Sequence, residues 1–136
     1  MTAKGSLDNG AVSIVRAHVV RAGKTLLALR RRPSEQWSTF GGWVETGELP
    51  DDALRRELRE ELAIEVEAFQ RLPDRTATSD GRPARVAVFA VTAWQGEPRN
   101  VAAHEHAAIS WFSREELKTL PMHEQARSEA LALLRN

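Results

Sequence analysis

The 136-residue chain predicts an α/β or α+β fold, with helices packed on a mixed sheet. β-branched runs recur along it, and two stretches between or after them repeat their apolar residues at helical spacing. The length suits one domain over residues 1–136 with enough interior for a core. Residues 1–10, polar throughout most of their length, are expected to form a flexible N-terminus.

Each element follows in chain order. "AVSIVRAHVV" (11–20) is rich in β-branched residues and apolar on both parities, so it predicts a strand buried on both faces. "RAGK" makes a turn, and "TLLALRR" (25–31) returns as a second strand. Residues 32–42 read as a loop ending in Gly41 and Gly42, followed by a short strand at 43–45. Pro50 opens a helix running to about Leu62; proline suits the first helical position because its missing N–H had no partner there. Asp51 and Asp52 occupy the first turn, where the helix dipole favours anions. "IEVEAFQRLP" (64–73) predicts a strand, followed by a polar loop around "TSDGRP". "ARVAVFAVTAW" (84–94) has the character of a central strand, and "AISWF" (108–112) of a short one. Ser113 can cap a short helix. Met122, Ala126, Ala130, Leu133 and Leu134 then mark an amphipathic terminal helix.

Composition removes several function classes. Apolar content of 42% and charged content of 28% are those of a soluble globular protein. A formal net charge of zero gives no basis for an extended nucleic-acid surface or for membrane attraction. No cysteine is present, which excludes disulfides, thiolate zinc sites and a cysteine nucleophile. "MTAKGSLDNG" lacks the apolar core of a signal peptide, and no apolar run has transmembrane length. A cytoplasmic protein is expected.

Against this neutral background, "RELREEL" (56–62) concentrates Glu57, Glu60 and Glu61 beside the apolar stripe of Leu54, Leu58 and Leu62. Like charges three and four residues apart on a helix repel. Either Arg55, Arg56 and Arg59 offset that repulsion on a solvated face, or the carboxylates gather to hold a cation.

The surrounding spacing favours the cation. Five residues separate Gly42 from Glu48, and seven more lead to Arg56-Glu57, then Leu58, Arg59, Glu60-Glu61, Leu62, Ala63 and Ile64. This 23-residue stretch closely resembles the Nudix box, with Ala63 standing where the family has glycine. The resemblance implies an α/β/α sandwich and hydrolysis of a nucleoside diphosphate-linked substrate with Mg²⁺, or with Mn²⁺ as substitute. It implies that Glu57 and Glu61 are central metal ligands, that Glu60 contributes, and that a carbonyl of Gly41 or Gly42 joins them. Glu48 and Arg56 would brace the junction between loop and helix. The physical sense is plain: an anionic helix and an anionic polyphosphate approach only with divalent cations between them, and Mg²⁺ takes hard oxygen ligands.

In MutT-type members a glutamate on the loop before a Trp-containing strand also reaches the metals, and Glu105, six residues before Trp111, holds the matching position. Glu97 is a weaker candidate, since "GEP" reads first as a turn. His104 and His106 lack the His-Glu-x-x-His spacing of a zinc motif and read as loop or substrate contacts. Trp37, Phe40 and Trp43 either stack on a base or anchor the loop. Among Arg30, Arg31 and Arg32, at least one is expected to face the phosphates.

The stretch at 97–111 resembles MutT-like nucleoside triphosphate pyrophosphohydrolases, including those acting on oxidised nucleotides. A (d)NTP cleaved to monophosphate and pyrophosphate is therefore the expected substrate, with ADP-ribose or a nucleotide sugar as alternatives. A non-catalytic nucleotide sensor is the alternative from another class. The partner is a small nucleotide; the sequence leaves monomer and homodimer both open. Leu49 in place of a capping Ser or Thr, Phe40 in place of the usual proline, and Ala63 bear on loop geometry and remove no carboxylate.

Overall fold

The computed structural model describes residues 12–31 and 35–135. Strand β1 (Val12–Arg21) is the hub of a seven-stranded mixed sheet. It pairs parallel with β6 (Arg82–Gln95) on one side. On the other side it pairs antiparallel with β4 (Phe40–Trp43) and then β2 (Lys24–Arg30). The sheet is extended by β3 (Trp37–Ser38) and β7 (His106–Ser113) on β2, and by β5 (Glu65–Ser79) on β6.

Helix α1 (Pro50–Leu62) covers one face, burying Ala53, Leu54, Leu58 and Leu62 against Val15, Ala17, Val19, Phe40 and Phe89. Across the sheet, α2 (Arg114–Leu117) and α3 (Glu124–Leu133) pack Leu117, Met122, Ala126 and Ala130 on Leu27. Helices on both faces of a mixed sheet are the architecture the sequence predicts. Among the described residues no helix is long and apolar enough to cross a membrane.

Three expectations are corrected. Residues 37–38 and 40–43 are strands rather than loop, and β4 ends at Trp43 instead of running from 43 to 45. β5 and β6 run through the expected polar loop as one long hairpin. Asp80 (φ 52°) and Gly81 (φ 74°) close it in two residues, the left-handed turn that matches strand twist. Pro73 is accommodated because the ladder shifts register between Leu72 and Arg75, so no donor is missed there. The terminal helix begins at Glu124, and Met122 precedes it as an isolated bridge to Trp37. The expected N-terminus at residues 1–10 lies outside the described residues, as does Arg32.

Helix α1 starts at Leu49 without a side-chain cap and ends at Ala63, which adopts the left-handed conformation at φ 58°, ψ 38°. An alanine there costs about 1–2 kcal/mol relative to an unstrained conformation. The last carbonyls of α1 are satisfied by the loop between β6 and β7: Arg99 N–H donates to Leu62 O at 3.0 Å and Val101 N–H to Glu61 O at 3.1 Å. Ala63→Gly should therefore raise stability by about 0.5–1 kcal/mol, a rise of a few degrees in thermal midpoint. An unchanged or lower midpoint would show that the left-handed alanine carries no strain.

Candidate active site

The site begins with two glycines. Gly41 has φ 141°, and a Cβ there would lie 1.9 Å from the Val15 carbonyl oxygen. A Cβ on Gly42 would come within 2.5 Å of Glu57 Oε1. Bare backbone at these positions lets the carboxylates of α1 press against β4. Glu61, only 6% exposed, accepts the Gly41 N–H at 3.2 Å. Glu57 lies one turn earlier on the same side.

The two carboxylates compete for one space. Burial, and then a hydrogen bond shared with Glu57, push the Glu61 carboxyl up to about 9. A buried carboxyl pressed against a half-buried one needs a proton or a cation between them. Glu60 is separated from them: its side chain is 57% exposed and reaches Arg56 Nη1 at 3.4 Å. The three glutamates thus divide into an inner pair, Glu57 and Glu61, and an outer member. Among the described residues, no three His, Asp or Glu side chains converge as a ready-made metal cage. The pair nevertheless fits a hard divalent cation, since Mg²⁺ is commonly held by one or two carboxylates with substrate phosphate and water completing its shell.

Arg56 ties the junction together. It donates to Glu48 through Nε at 2.9 Å and Nη2 at 3.0 Å, to Glu57 at 3.0 Å and to the Trp43 carbonyl at 3.0 Å. Glu48 also accepts the Glu45 N–H, and the Arg56 guanidinium holds its carboxyl below the ordinary glutamate value. These contacts orient Glu57 and fix the approach of β4 to α1.

Glu61 forms one wall of a cavity of about 380 Å³. Gly41, Gly42, Trp37, Trp43, Arg30, Glu105 and His106 from the sequence candidates also line it. Glu105 is largely exposed and lies 3.4 Å from His104 Nε2, so the structure brings it to the cavity without joining it to the carboxylate pair. Burial lowers the His106 pKa, keeping the ring neutral, and its buried Nδ1 has no partner among the described residues.

Phe40, a candidate base contact, is instead fully buried and meets the His106 ring edge-on at 5.9 Å. Its strand parity turns it into the core, opposite Gly41. Arg31 also turns away from the cavity: its Nε holds the Ala103 carbonyl at 2.7 Å, and its N–H holds that of Glu105 at 3.0 Å. Glu97 pairs with Arg21 at the surface, at 2.9 Å.

Sequence reasoning missed Arg16 and Arg75, which both line the cavity. Arg16 projects from the middle of β1 and is oriented by Thr39, whose hydroxyl accepts its Nε at 3.0 Å and whose carbonyl accepts Nη2. Burial lowers its pKa, with Glu61 opposing that effect and Arg75 and Arg30 adding to it. The available signal was parity: Arg16 and His18 alternate with Val15, Ala17 and Val19 in an otherwise apolar strand.

Comparison with known proteins decides the family. The NUDIX domain model matches residues 11–134. The chain belongs to the Nudix family. This Nudix chain is 37% identical over 114 residues to the CTP pyrophosphohydrolase of Escherichia coli (strain K12), covering 82% of each. It is 35% identical to the nucleoside triphosphatase NudI of Enterobacter sp. (strain 638), covering 68% of this chain and 72% of that one. Among solved structures, a MutT NUDIX hydrolase from Burkholderia pseudomallei superposes with a TM-score of 0.80 at 31% identity, covering 90% and 96% of the two chains. The protein is thus a MutT-like Nudix hydrolase acting on phosphoric anhydride bonds.

The buried pair gives metal-free stability a pH dependence. Between the ordinary glutamate value and about 9, folded Glu61 keeps a proton that the unfolded chain has released. The contribution is complete below the ordinary glutamate value and is lost as pH rises towards 9. Thermal unfolding in chelator should show the midpoint falling across this window, and Glu61→Gln should flatten that decline.

Proposed function

We propose that the chain is a Mg²⁺-dependent pyrophosphohydrolase that converts a nucleoside triphosphate, ordinary or oxidised, to monophosphate and pyrophosphate. The observation that carries this reading is the Glu57–Glu61 pair held against β4, with Glu61 lining a cavity whose other walls carry arginines and tryptophans. The activities for which the two relatives are named, a CTP pyrophosphohydrolase and a nucleoside triphosphatase, support the triphosphate.

Glu57 and Glu61 would hold the divalent ion, with Glu60, Glu105 and a carbonyl of Gly41 or Gly42 as further oxygen donors. Bound there, the ion neutralises phosphate charge and makes a water more acidic. Glu57, oriented by Arg56, accepts a proton from the attacking water. Arg16, fixed by Thr39, and Arg30 donate to the non-bridging phosphate oxygens. Trp37 and Trp43 wall the cavity on the side of β1 away from β6, beside the phosphates and sugar. Water adds to phosphorus as the anhydride oxygen leaves with its electron pair, giving monophosphate and pyrophosphate.

The test is a chromatographic panel of ordinary and oxidised triphosphates, ADP-ribose and nucleotide sugars with Mg²⁺. Pyrophosphate should appear from a triphosphate. Glu57→Gln and Glu61→Gln should each lower kcat by about a hundredfold or more, while Glu60→Gln, at an exposed position, costs less. Preferred cleavage of ADP-ribose or a sugar nucleotide would replace the substrate class. Undiminished hydrolysis in both the Glu57 and Glu61 variants would remove the catalytic assignment.

A further inference from the structure

At the far end of the cavity from the carboxylates stands an arginine with an unusually complete support. Residues Arg75, Val86, Ile14 and Trp43 are aligned in successive hydrogen-bonded partners across β5, β6, β1 and β4, and all four line the cavity. Three strand spacings, about 14 Å, separate β5 from β4. Arg16, directly opposite Gly41, is at the carboxylate end; Arg75 is at the other. Ile14 and Val86 form an apolar floor between them.

The side chain of Arg75 is only 14% exposed, and its Nε donates to Glu129 Oε2 at 2.9 Å. The other oxygen of Glu129 lies 2.9 Å from Nε2 of His18, which is fully buried in β1. Glu129, carried by α3, is therefore clamped between strands β1 and β5 and fixes the guanidinium plane. Among the described residues, neither terminal amino group of Arg75 has a partner. A fork of donors, held through Nε and with no acceptor for its terminal groups among the described residues, thus lines the cavity.

We propose that Arg75 is a specificity-determining residue that reads the base edge of the nucleotide, and that the cavity selects bases presenting two adjacent acceptors. Guanine offers O6 and N7, and cytosine offers O2 and N3; either matches the paired donors. Adenine places its exocyclic amino donor beside each of N1 and N7. Uracil separates its two carbonyl oxygens by an N–H donor. Glu129 is the positioning residue that keeps the fork in register. The inference deepens the proposed function, because it rests on the cavity being a nucleotide site.

Binding of monophosphates to the metal-free protein tests it without requiring turnover. GMP, CMP, AMP and UMP are titrated calorimetrically against the wild type, Arg75→Gln, Arg75→Lys and Glu129→Gln, with thermal unfolding verifying the fold of each. GMP and CMP should bind the wild type about tenfold more tightly than AMP and UMP, the order expected of one bidentate pair. Arg75→Gln and Arg75→Lys should both collapse that ratio, since lysine restores charge without the fork. Glu129→Gln should narrow it. Equal weakening of all four nucleotides, rescued by lysine, would assign Arg75 to phosphate and overturn the inference. So would a wild type without base preference. Preferred cleavage of ADP-ribose beside an intact guanine and cytosine preference would overturn the proposed reaction and leave this assignment standing.

Discussion

Two carboxylates, one buried and one half-buried, forced into one space are the constraint on which the rest of this structure depends. Glu57 and Glu61 approach each other and the β4 backbone because Gly41 and Gly42 put nothing in their way. The cost of that arrangement appears in Glu61, whose carboxyl retains its proton far above the ordinary range. A fold minimising its own energy would not keep such a pair. It persists because surrounding contacts over-determine it: Arg56 joins Glu48, Glu57 and the Trp43 carbonyl, and the loop at Arg99 and Val101 secures the end of α1.

From that pair the cavity extends in electrostatic zones. Acid lies at the β4 end, where Glu61 meets Gly41, with Arg16 alongside on β1. An apolar floor of Ile14 and Val86 follows, and Arg75 stands beyond it. This order suits a ligand whose reacting phosphates lie at one end and whose base lies at the other. The arginines repel one another, as the lowered pKa of Arg16 reflects after its burial, and an anionic ligand would relieve that repulsion. α3 takes part as well, because its Glu129 reaches through to both His18 and Arg75.

Much of this was legible in the sequence where local chemistry decides structure. Pro50 and the acidic first turn mark the start of α1, and the left-handed Ala63 follows from its place at the helix end. Gly41, Gly42 and the glutamate spacing pointed to the candidate site. The division among the glutamates was harder. Successive helical residues turn by about 100°, so Glu61 lies about 40° from Glu57, whereas Glu60 lies about 60° to the other side. A count of charges does not say which side is covered; packing against β4 does. The choice between base contact and core for Phe40 stayed open because residues 32–42 read as loop, where strand parity has no meaning. Arg75 and Glu129 are 54 residues apart, and nothing local to either announces their partnership.

The most direct test of the carboxylate constraint is the proton count on metal binding. Mg²⁺ is titrated into chelator-stripped protein at pH 8 by calorimetry, in buffers of differing ionisation enthalpy. If Glu61 carries the proton that keeps the pair together, binding releases close to one proton per ion, and Glu61→Gln releases none. Binding without proton release, or with release unchanged in Glu61→Gln, would contradict the account of the pair as a site awaiting a cation.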